Sequence, residues 1–181
     1  QWDASGAGYD AWGDTLQSII RPAVDAMMEG VDLREGSSVL ELACGSGALT
    51  LLLAERVGDE GQVLATDLSP GMVALTRANL DRAGRTQVEV REMDGEVLDV
   101  GDRRFDAVVS SLGLMFFPDR AQALAEMYRV LKSGGRVSVA VWDMLENTDA
   151  YPEIVELLER LAGKAAASAL QAPFVLGDPE A

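Results

Sequence analysis

Two kinds of hydrophobic spacing alternate along the chain. Apolar residues three and four positions apart predict an amphipathic helix that ends near Gly30. These residues are Leu16, Ile19, Ile20, Ala23, Val24, Met27 and Met28. Short runs rich in Val and Leu then predict five strands, at 38–42, 62–66, 87–91, 105–110 and 136–142. Helical patterns fall between most of these runs, so we expect an α/β fold in which βαβ units form a parallel sheet with helices on both faces.

Capping residues mark several of the helix boundaries. Ser69 followed by Pro70 predicts the start of a helix that continues to about Ala83. Asp119 with Gln122 three positions later resembles a capping box for another helix. The predicted core face of that helix consists of Leu124, Met127, Tyr128 and Leu131. A last predicted helix carries Ile154, Leu157, Leu158 and Leu161. The alanine-rich run at 163–169 is interpreted as a mobile connection.

Composition restricts the classes of function. A chain of 181 residues, 48% of them hydrophobic, fits one packed domain. Acidic residues outnumber basic ones by 30 to 15, and Lys132 and Lys164 are the only lysines, so we expect no nucleic-acid partner. No apolar run approaches the roughly 18 residues that would span a bilayer. A single cysteine and the absence of a charged, apolar-cored leader favour the cytoplasm.

The chain contains no histidine and one cysteine, Cys44. A Ser-His-Asp triad, a histidine-ligated zinc ion and a histidine general base therefore cannot be built from these residues. The carboxylates show no spacing typical of a metal site, so we predict no metal. We interpret Cys44 as a small buried residue that fills space, rather than as a nucleophile.

Polar and glycine residues follow the first predicted strand, where ligands of parallel sheets bind. Gly45 and Gly47 allow the backbone to turn sharply and approach a ligand, and the helix that starts there offers free N–H groups. The spacing Gly45-x-Gly47-x-x-Thr50 lacks the third glycine of the dinucleotide fingerprint. Glu41 stands near the strand end, where it can face a cationic amine. A plain tight turn would explain the glycines but not the residues after the other strands.

Carboxylates also follow the second and third predicted strands. Asp67 lies about twenty residues beyond the glycines, in the position from which a carboxylate accepts hydrogen bonds from ribose hydroxyls. Helix capping is the alternative role, but Ser69 is better placed for it. Asp94 can accept from an exocyclic amine while the N–H of Gly95 donates to a ring nitrogen, so the pair would read adenine. An ordinary turn is the alternative interpretation of Asp94 and Gly95.

Together these motifs resemble the class I S-adenosylmethionine-dependent methyltransferases, over residues from about 9 to 145. The resemblance is carried, in order, by VLELACGSG at 39–47, ATDLSPGM at 65–72, MDG at 93–95, FDAVVSSLGLMFFPD at 105–119 and LKSGGRVSVAVW at 131–142. The most similar subgroup contains the ubiquinone and menaquinone biosynthesis methyltransferases. It implies a Rossmann-like, mostly parallel sheet, of which the last strands of the family's seven are missing here.

The resemblance also implies S-adenosylmethionine as cofactor and S-adenosylhomocysteine as product. The implied contacts are Tyr9 closing over the cofactor, Glu41, Ala43, Gly45 and Gly47 around the methionine moiety, Asp67 at the ribose, Leu68 and Met72 on the adenine faces, Asp94 and Gly95 at the adenine edge, and Ser111 and Leu112 beside the sulfonium. Ala43 stands where many members of the family carry glycine. We expect a helical cap over residues 1–35, a cofactor-binding core over 36–145, and a helical segment over 146–181 that leads to an incomplete C-terminus.

The expected reaction is in-line transfer of a methyl group to a small, apolar or aromatic metabolite. Positioning in a dry pocket can supply about 7–11 kcal/mol of the acceleration, which suits a chain without histidine, and no catalytic residue is assigned. Met115, Phe116 and Phe117 are candidates for the acceptor pocket, and core packing is the alternative role of Phe117. Two other functions stay open, a nicotinamide-dependent oxidoreductase and a non-catalytic S-adenosylmethionine-binding protein. Trp2, Trp12 and the first helix either cover the site or pack on a second copy in a homodimer.

Overall fold

The sheet and its helices alternate along the chain as the hydrophobic spacing predicts. A computed structural model describes residues 6–178, and the side chains of all of these except 6–14, 16 and 17. The strands are β1 (Ser38–Leu42), β2 (Gln62–Asp67), β3 (Val88–Glu92), β4 (Phe105–Ser111) and β5 (Leu131–Ala140). The helices are α1 (Gly6–Gly30), α2 (Ala48–Val57), α3 (Pro70–Ala83), α4 (Arg120–Val130), α5 (Tyr151–Ala162) and α6 (Lys164–Gln171).

The strand order of the sheet is β3-β2-β1-β4-β5, and every pairing of neighbours is parallel. The chain moves outward from β1 to β3 and then returns to the other side of β1 for β4. The order therefore reverses between β1 and β4, and a crevice opens at the carboxyl ends of these two strands. The predicted α/β parallel fold is confirmed, with five strands among the described residues.

Helices cover both faces of the sheet, and alternate strand residues face each layer. Val39 and Val63 lie in one buried cluster with residues of α1 and α2, while α3 packs beside them. Leu40 and Leu42 lie in the opposite cluster, together with Met127 of α4. All four strand residues are at most 1% exposed, and each such side chain contributes about 1.5–3 kcal/mol by leaving water. Among the described helices, none combines the length and the apolar composition that a bilayer crossing requires.

The predicted core face of α4 is wrong at three of its four positions. Leu124 is 45% exposed and Tyr128 is 80% exposed, while the side chains that α4 buries are Ala123, Met127 and Val130. The small Ala123 lets the helix approach the sheet closely, which turns the two larger side chains toward solvent. Leu131 does not belong to α4 but begins β5.

Strand β5 starts five residues earlier than the predicted Arg136. Leu131 pairs with Phe105 and Arg136 pairs with Ala107, so five steps along β5 match only two along β4. The extra residues form an irregularity in which Gly134 adopts a φ of 84°, a left-handed conformation that glycine adopts readily. The turn residues that we read as a boundary before the strand are thus contained within it.

The interpretation of 163–169 as a mobile connection is also wrong. These residues lie almost entirely in α6, and Ala167 is 3% exposed. Alanine is the strongest helix former, which explains why an alanine-rich run that lacks an obvious apolar stripe is helical. The preceding helix α5 forms as predicted, but Ile154 and Leu161 on its apolar stripe are 46% and 77% exposed, and Val155 is the side chain it buries.

Arg129 of α4 attaches the loop between β3 and β4 to the sheet's helical layer. Its Nε donates to Glu126 Oε1 at 2.6 Å, and its Nη2 donates to Glu126 Oε2 and the Leu98 carbonyl at 2.7 and 3.0 Å. Its Nη1 donates to the Val100 carbonyl at 2.9 Å and to Asp102 at 2.6 Å. All five N–H groups of the guanidinium are therefore used, and the Arg129 charge holds the pKa of Glu126 below its usual value.

Arg129→Met should destabilise the fold by about 2 kcal/mol or more, because it leaves two loop carbonyls without their donor and the Glu126 carboxylate without its positively charged partner. Arg91→Met is the matched control, since Arg91 forms an exposed pair with Glu89 that should contribute less than about 1 kcal/mol. Urea denaturation of both variants measures the difference. Equal losses of stability would contradict the role of Arg129 as the attachment of this loop.

Candidate functional site

A cleft of about 260 Å³ opens at the carboxyl ends of the strands, where their order reverses. Ten of the residues predicted from the sequence lie in its wall: Glu41, Ala43, Gly45, Asp67, Leu68, Met72, Asp94, Gly95, Ser111 and Leu112. Gly47 lies behind the wall, against Thr76. Tyr9 falls within α1, but its side chain lies outside the described residues, as do those of Trp2 and Trp12.

Some wall residues carried no sequence prediction of a site. They include Ile20, Leu49, Thr66, Met93, Glu96 and Gly113. Ile20 belongs to the apolar stripe of the first predicted helix, which indicates a core role, because hydrophobic spacing does not distinguish a helix position that faces the core from one that faces a cleft. Glu96 follows the MDG motif at 93–95 by one residue, and Gly113 lies within the 105–119 motif, directly after the predicted contacts Ser111 and Leu112. Extending each set of strand-end contacts by one position would have included both.

Left-handed backbone shapes the loop after β1. Gly45 and Gly47 have φ angles of 57° and 82°, which glycine adopts without strain. Ala43 also has a positive φ, 56°, which a residue with a Cβ adopts less readily. Alanine at this position is therefore held with some backbone strain.

The Asp67 carboxylate joins this loop to the start of α3. Its Oδ2 accepts the Gly45 N–H at 2.9 Å, and its Oδ1 accepts the Ser69 N–H at 2.9 Å. Ser69 caps α3 as predicted, because its hydroxyl accepts the Met72 N–H. Each oxygen of Asp67 retains a second lone pair, so the carboxylate can hold the loop and still accept hydrogen bonds from a ligand.

Glu41 is a buried carboxylate in the wall of the cleft. It is 2% exposed, and its Oε2 accepts a hydrogen bond from the Thr50 hydroxyl at 2.6 Å. Burial raises the pKa of Glu41 to about 8, a rise that the Thr50 hydrogen bond opposes and the nearby charge of Asp67 increases. An ammonium or sulfonium group in the cleft would favour the ionised carboxylate, so Glu41 is suited to a cationic ligand.

Thr50 occupies the position at which a dinucleotide fingerprint has its third glycine. That glycine normally lets helix and strand pack closely beside the pyrophosphate. Here the Thr50 side chain is fully buried between β1 and α2, and its hydroxyl is committed to Glu41. Thr50 in place of the third glycine therefore changes the packing between β1 and α2, and not only the sequence.

The wall of the cleft is acidic. Its acidic side chains are Glu41, Asp67, Asp94 and Glu96, and within the described part of the chain no lysine or arginine lines it. A pyrophosphate would meet acidic side chains and no basic one, which is unfavourable. A ligand that carries positive charge near β1 and hydroxyl groups near β2 fits this wall better.

Residues 39–135 match the model of a family described as a methyltransferase domain. The chain belongs to this family. It is 38% identical over 110 residues to the demethylmenaquinone methyltransferase of Shouchella clausii, an alignment that covers 61% of this chain and 47% of that relative. It is 41% identical over 133 residues to a ubiquinone/menaquinone biosynthesis C-methyltransferase of Xanthomonas oryzae, covering 72% of this chain and 53% of that relative.

A solved structure shares the fold of this methyltransferase domain. The SAM-dependent methyltransferase of Aquifex aeolicus superposes with a TM-score of 0.60 and 23% identity, over 80% of this chain and 87% of that chain. The resemblance to class I S-adenosylmethionine-dependent methyltransferases that the five motifs indicate is confirmed. The chain spans about half the length of the two quinone-pathway relatives.

The end of the cleft beyond β3 combines a turn with close packing. Asp94 Oδ1 accepts the Glu96 N–H at 2.9 Å, so the turn interpretation holds, while its other oxygen is left for a ligand. A Cβ on Gly95 would lie 2.5 Å from Phe117 Cε2, so only glycine allows this ring to pack against the loop. Glu96 Oε1 accepts the Asp119 N–H at 2.8 Å, which joins the loop to the start of α4.

The opposite end of the cleft lies where β1 and β4 finish. Leu112 has a φ of 55°, and its N–H donates to the Ala140 carbonyl of β5 at 2.8 Å. A Cβ on Gly113 would lie 2.5 Å from the Ala43 Cβ. The small residue after β4 thus makes room for the extra carbon that Ala43 adds after β1.

Cys44 is a buried thiol within the glycine loop, which comprises residues 43–47 between β1 and α2. It is 6% exposed, and its Sγ is 3.6 Å from the Thr76 Oγ1. Burial raises the pKa of the Cys44 thiol well above its usual value, and the negative charge of Glu41 adds to this effect. The thiol is therefore protonated near neutral pH, which agrees with its interpretation as a space-filling residue rather than a nucleophile.

The stability of the ligand-free protein should fall as the pH rises from about 4.5 to about 8, since folded Glu41 keeps a proton that the unfolded chain has released. We expect a loss on the order of 3 kcal/mol across this range. The absence of histidine leaves few other groups that titrate there. Urea melts of Glu41→Gln should lack this slope, whereas Glu55→Gln, at an exposed position of α2, should keep it.

Gly113→Ala should destabilise the protein by about 1–3 kcal/mol because its new Cβ overlaps the Ala43 Cβ. In an Ala43→Gly background the same change should be at least about 1 kcal/mol less harmful, since the colliding carbon is gone. A double-mutant cycle of unfolding free energies measures this coupling. Additive effects would show that the two strand ends do not pack against each other.

Proposed function

We propose that this chain binds S-adenosylmethionine and transfers its methyl group to a small, apolar or aromatic metabolite. The observation that carries the proposal is the acidic wall around buried Glu41, with no basic side chain among its described residues. S-Adenosylmethionine brings a sulfonium and an ammonium group to such a wall, and both favour carboxylates. A nicotinamide dinucleotide would bring a pyrophosphate, which carboxylates repel.

The acidic residues at the ends of β1, β2 and β3 would each contact a different part of this cofactor. Glu41 would accept from the amine, Asp67 from the ribose hydroxyls, and the free oxygen of Asp94 from the adenine amine. Leu68 is 67% exposed at the rim of the cleft, where it would cover an adenine face. Ser111 and Leu112 would lie beside the reacting centre. Met72 would contact the other face of the adenine.

When bound, the cofactor supplies an electrophilic methyl group on its sulfonium. The chain's own contribution is to hold that group still and to exclude water from the acceptor side. The apolar residues of the wall include Ile20, Leu49 and Phe116, contributed by α1, α2 and the turn after β4. Such a surface favours an acceptor with little charge. We assign no general base, since no described side chain is singled out for that task.

The printed names of the two relatives also support an apolar acceptor. Both name quinones or their precursors, molecules that combine an aromatic ring with an apolar chain. A quinone-related ring is accordingly the first acceptor class to assay. A cytoplasmic location, the absence of a nucleic-acid partner and a homodimer through the first helix remain predictions.

Calorimetric titration of the full-length protein with S-adenosylmethionine, S-adenosylhomocysteine and NAD tests the cofactor. Burial raises the pKa of Glu41 to about 8, so binding of either S-adenosyl ligand at pH 7 should release up to about one proton, because the ammonium group that both ligands carry favours ionised Glu41. Repeating the titration in buffers with different ionisation enthalpies measures that number. Glu41→Gln should release none, and Glu55→Gln should behave as the wild type.

The other results separate the remaining functions. Binding of NAD without S-adenosylmethionine would favour an oxidoreductase. Binding of S-adenosylmethionine without formation of S-adenosylhomocysteine from a panel of quinol and phenol acceptors would favour a non-catalytic cofactor-binding protein. Formation of S-adenosylhomocysteine that depends on one of these acceptors would establish the proposed transfer.

A further inference from the structure

The glycine loop is held from the side by α3. Thr76 Oγ1 donates to the Gly45 carbonyl at 2.7 Å, and Asn79 Nδ2 donates to the Ser46 carbonyl at 2.7 Å. Thr76 and Asn79 are three positions apart and therefore share one face of the helix. Two consecutive carbonyls of the loop are thus fixed by side chains more than thirty positions further along the chain.

Thr76 makes further contacts with the same loop. It is fully buried, and its Oγ1 lies 3.6 Å from the Cys44 Sγ. Its Cγ2 methyl packs against Gly47, where a Cβ would approach it to 2.9 Å. A single side chain therefore contacts Cys44, Gly45 and Gly47, through its hydroxyl on one side and its methyl on the other.

These contacts set the direction of the loop's N–H groups. A peptide unit is planar and its N–H points opposite to its carbonyl. Because the Gly45 carbonyl is turned toward α3, the Ser46 N–H of the same peptide points away from α3. Gly45 and Ser46 both line the cleft. Within the loop the Gly47 N–H donates to the Cys44 carbonyl at 2.9 Å, and this turn leaves the Gly45 and Ser46 carbonyls to be fixed by α3.

We propose that Thr76, assisted by Asn79, is a positioning residue that keeps the glycine loop in its ligand-binding shape. Asp67 completes the arrangement, since it holds the Gly45 N–H while Thr76 holds the Gly45 carbonyl. The effect of Thr76 on cofactor affinity rests on the proposed function, whereas its effect on the shape of the loop does not.

Two substitutions separate the hydroxyl of Thr76 from its methyl group. Thr76→Val keeps the shape and removes the donor, so the Gly45 carbonyl loses its partner. Affinity for S-adenosylmethionine and S-adenosylhomocysteine should then fall about tenfold, and the melting temperature should fall by about 2–4 °C because a partly buried carbonyl is left without its donor. Thr76→Ser keeps the donor and removes the methyl beneath Gly47. It should bind within about twofold of the wild type while melting about 2–4 °C lower. A merely structural role would move affinity and melting temperature together.

Thr148→Val is the matched control. The Thr148 hydroxyl also donates to a backbone carbonyl, that of Met144 at 3.3 Å, but Thr148 does not line the cleft. Its loss should leave cofactor affinity unchanged. If Thr76→Val does not fold, Asn79→Ala carries the same test, because Asn79 is partly exposed and its removal frees the Ser46 carbonyl.

Amide hydrogen exchange of the ligand-free protein supplies a readout that needs no cofactor. Exchange at residues 45–47 should accelerate at least about fivefold in Thr76→Val and stay near wild type in Thr76→Ser. Unchanged exchange together with unchanged affinity in Thr76→Val would overturn the proposal. If the wild type binds neither S-adenosyl ligand, the proposed function fails, but hydrogen exchange still tests the role of Thr76. Accelerated exchange in Thr76→Val would then support the positioning of the loop, and unchanged exchange would refute it.

Discussion

The reversal of strand order between β1 and β4 is the constraint on which the site depends. The helix after β1 crosses one face of the sheet and the helix after β4 crosses the other, so neither covers the space between the two strand ends. Parallel strands bring their carboxyl ends to the same edge, which gathers the residues after β1, β2, β3 and β4 around one cleft. The cleft is therefore a consequence of topology, and its chemistry is a matter of which side chains follow each strand.

Those side chains leave negative charge uncompensated. A buried carboxylate is ordinarily paired with a cation or protonated. Glu41 is the second case, since the Thr50 hydroxyl is its hydrogen-bond donor and burial raises its pKa to about 8. A cationic ligand would favour the ionised form of Glu41. The carboxylate that lowers the stability of the ligand-free protein as the pH rises is therefore also the one best placed to recognise positive charge. The pH dependence of stability and the recognition of a cation therefore both depend on the proton of Glu41.

Close packing of small residues determines how the loops fit around the cleft. Gly95 accommodates the Phe117 ring, and Gly113 accommodates the Cβ of Ala43. In both pairs a loop after one strand fits against a loop after another, so the cleft is formed by mutual contacts and not by independent turns. The hydrogen bonds from Thr76 and Asn79 to the glycine loop extend the same principle to α3.

The sequence by itself determined the α/β alternation, the helix caps at Ser69 and Asp119, the family, and ten wall residues of the cleft. These follow from local spacing and from the rule that strand ends converge. Only the tertiary structure decided that Ala123 rather than Leu124 faces the sheet, that β5 begins at Leu131, and that Thr76 holds the glycine loop. Each depends on how a helix rotates or how a strand shifts against a distant segment. Packing between residues far apart in the chain sets that rotation or shift, and the hydrophobic spacing within one segment does not predict it.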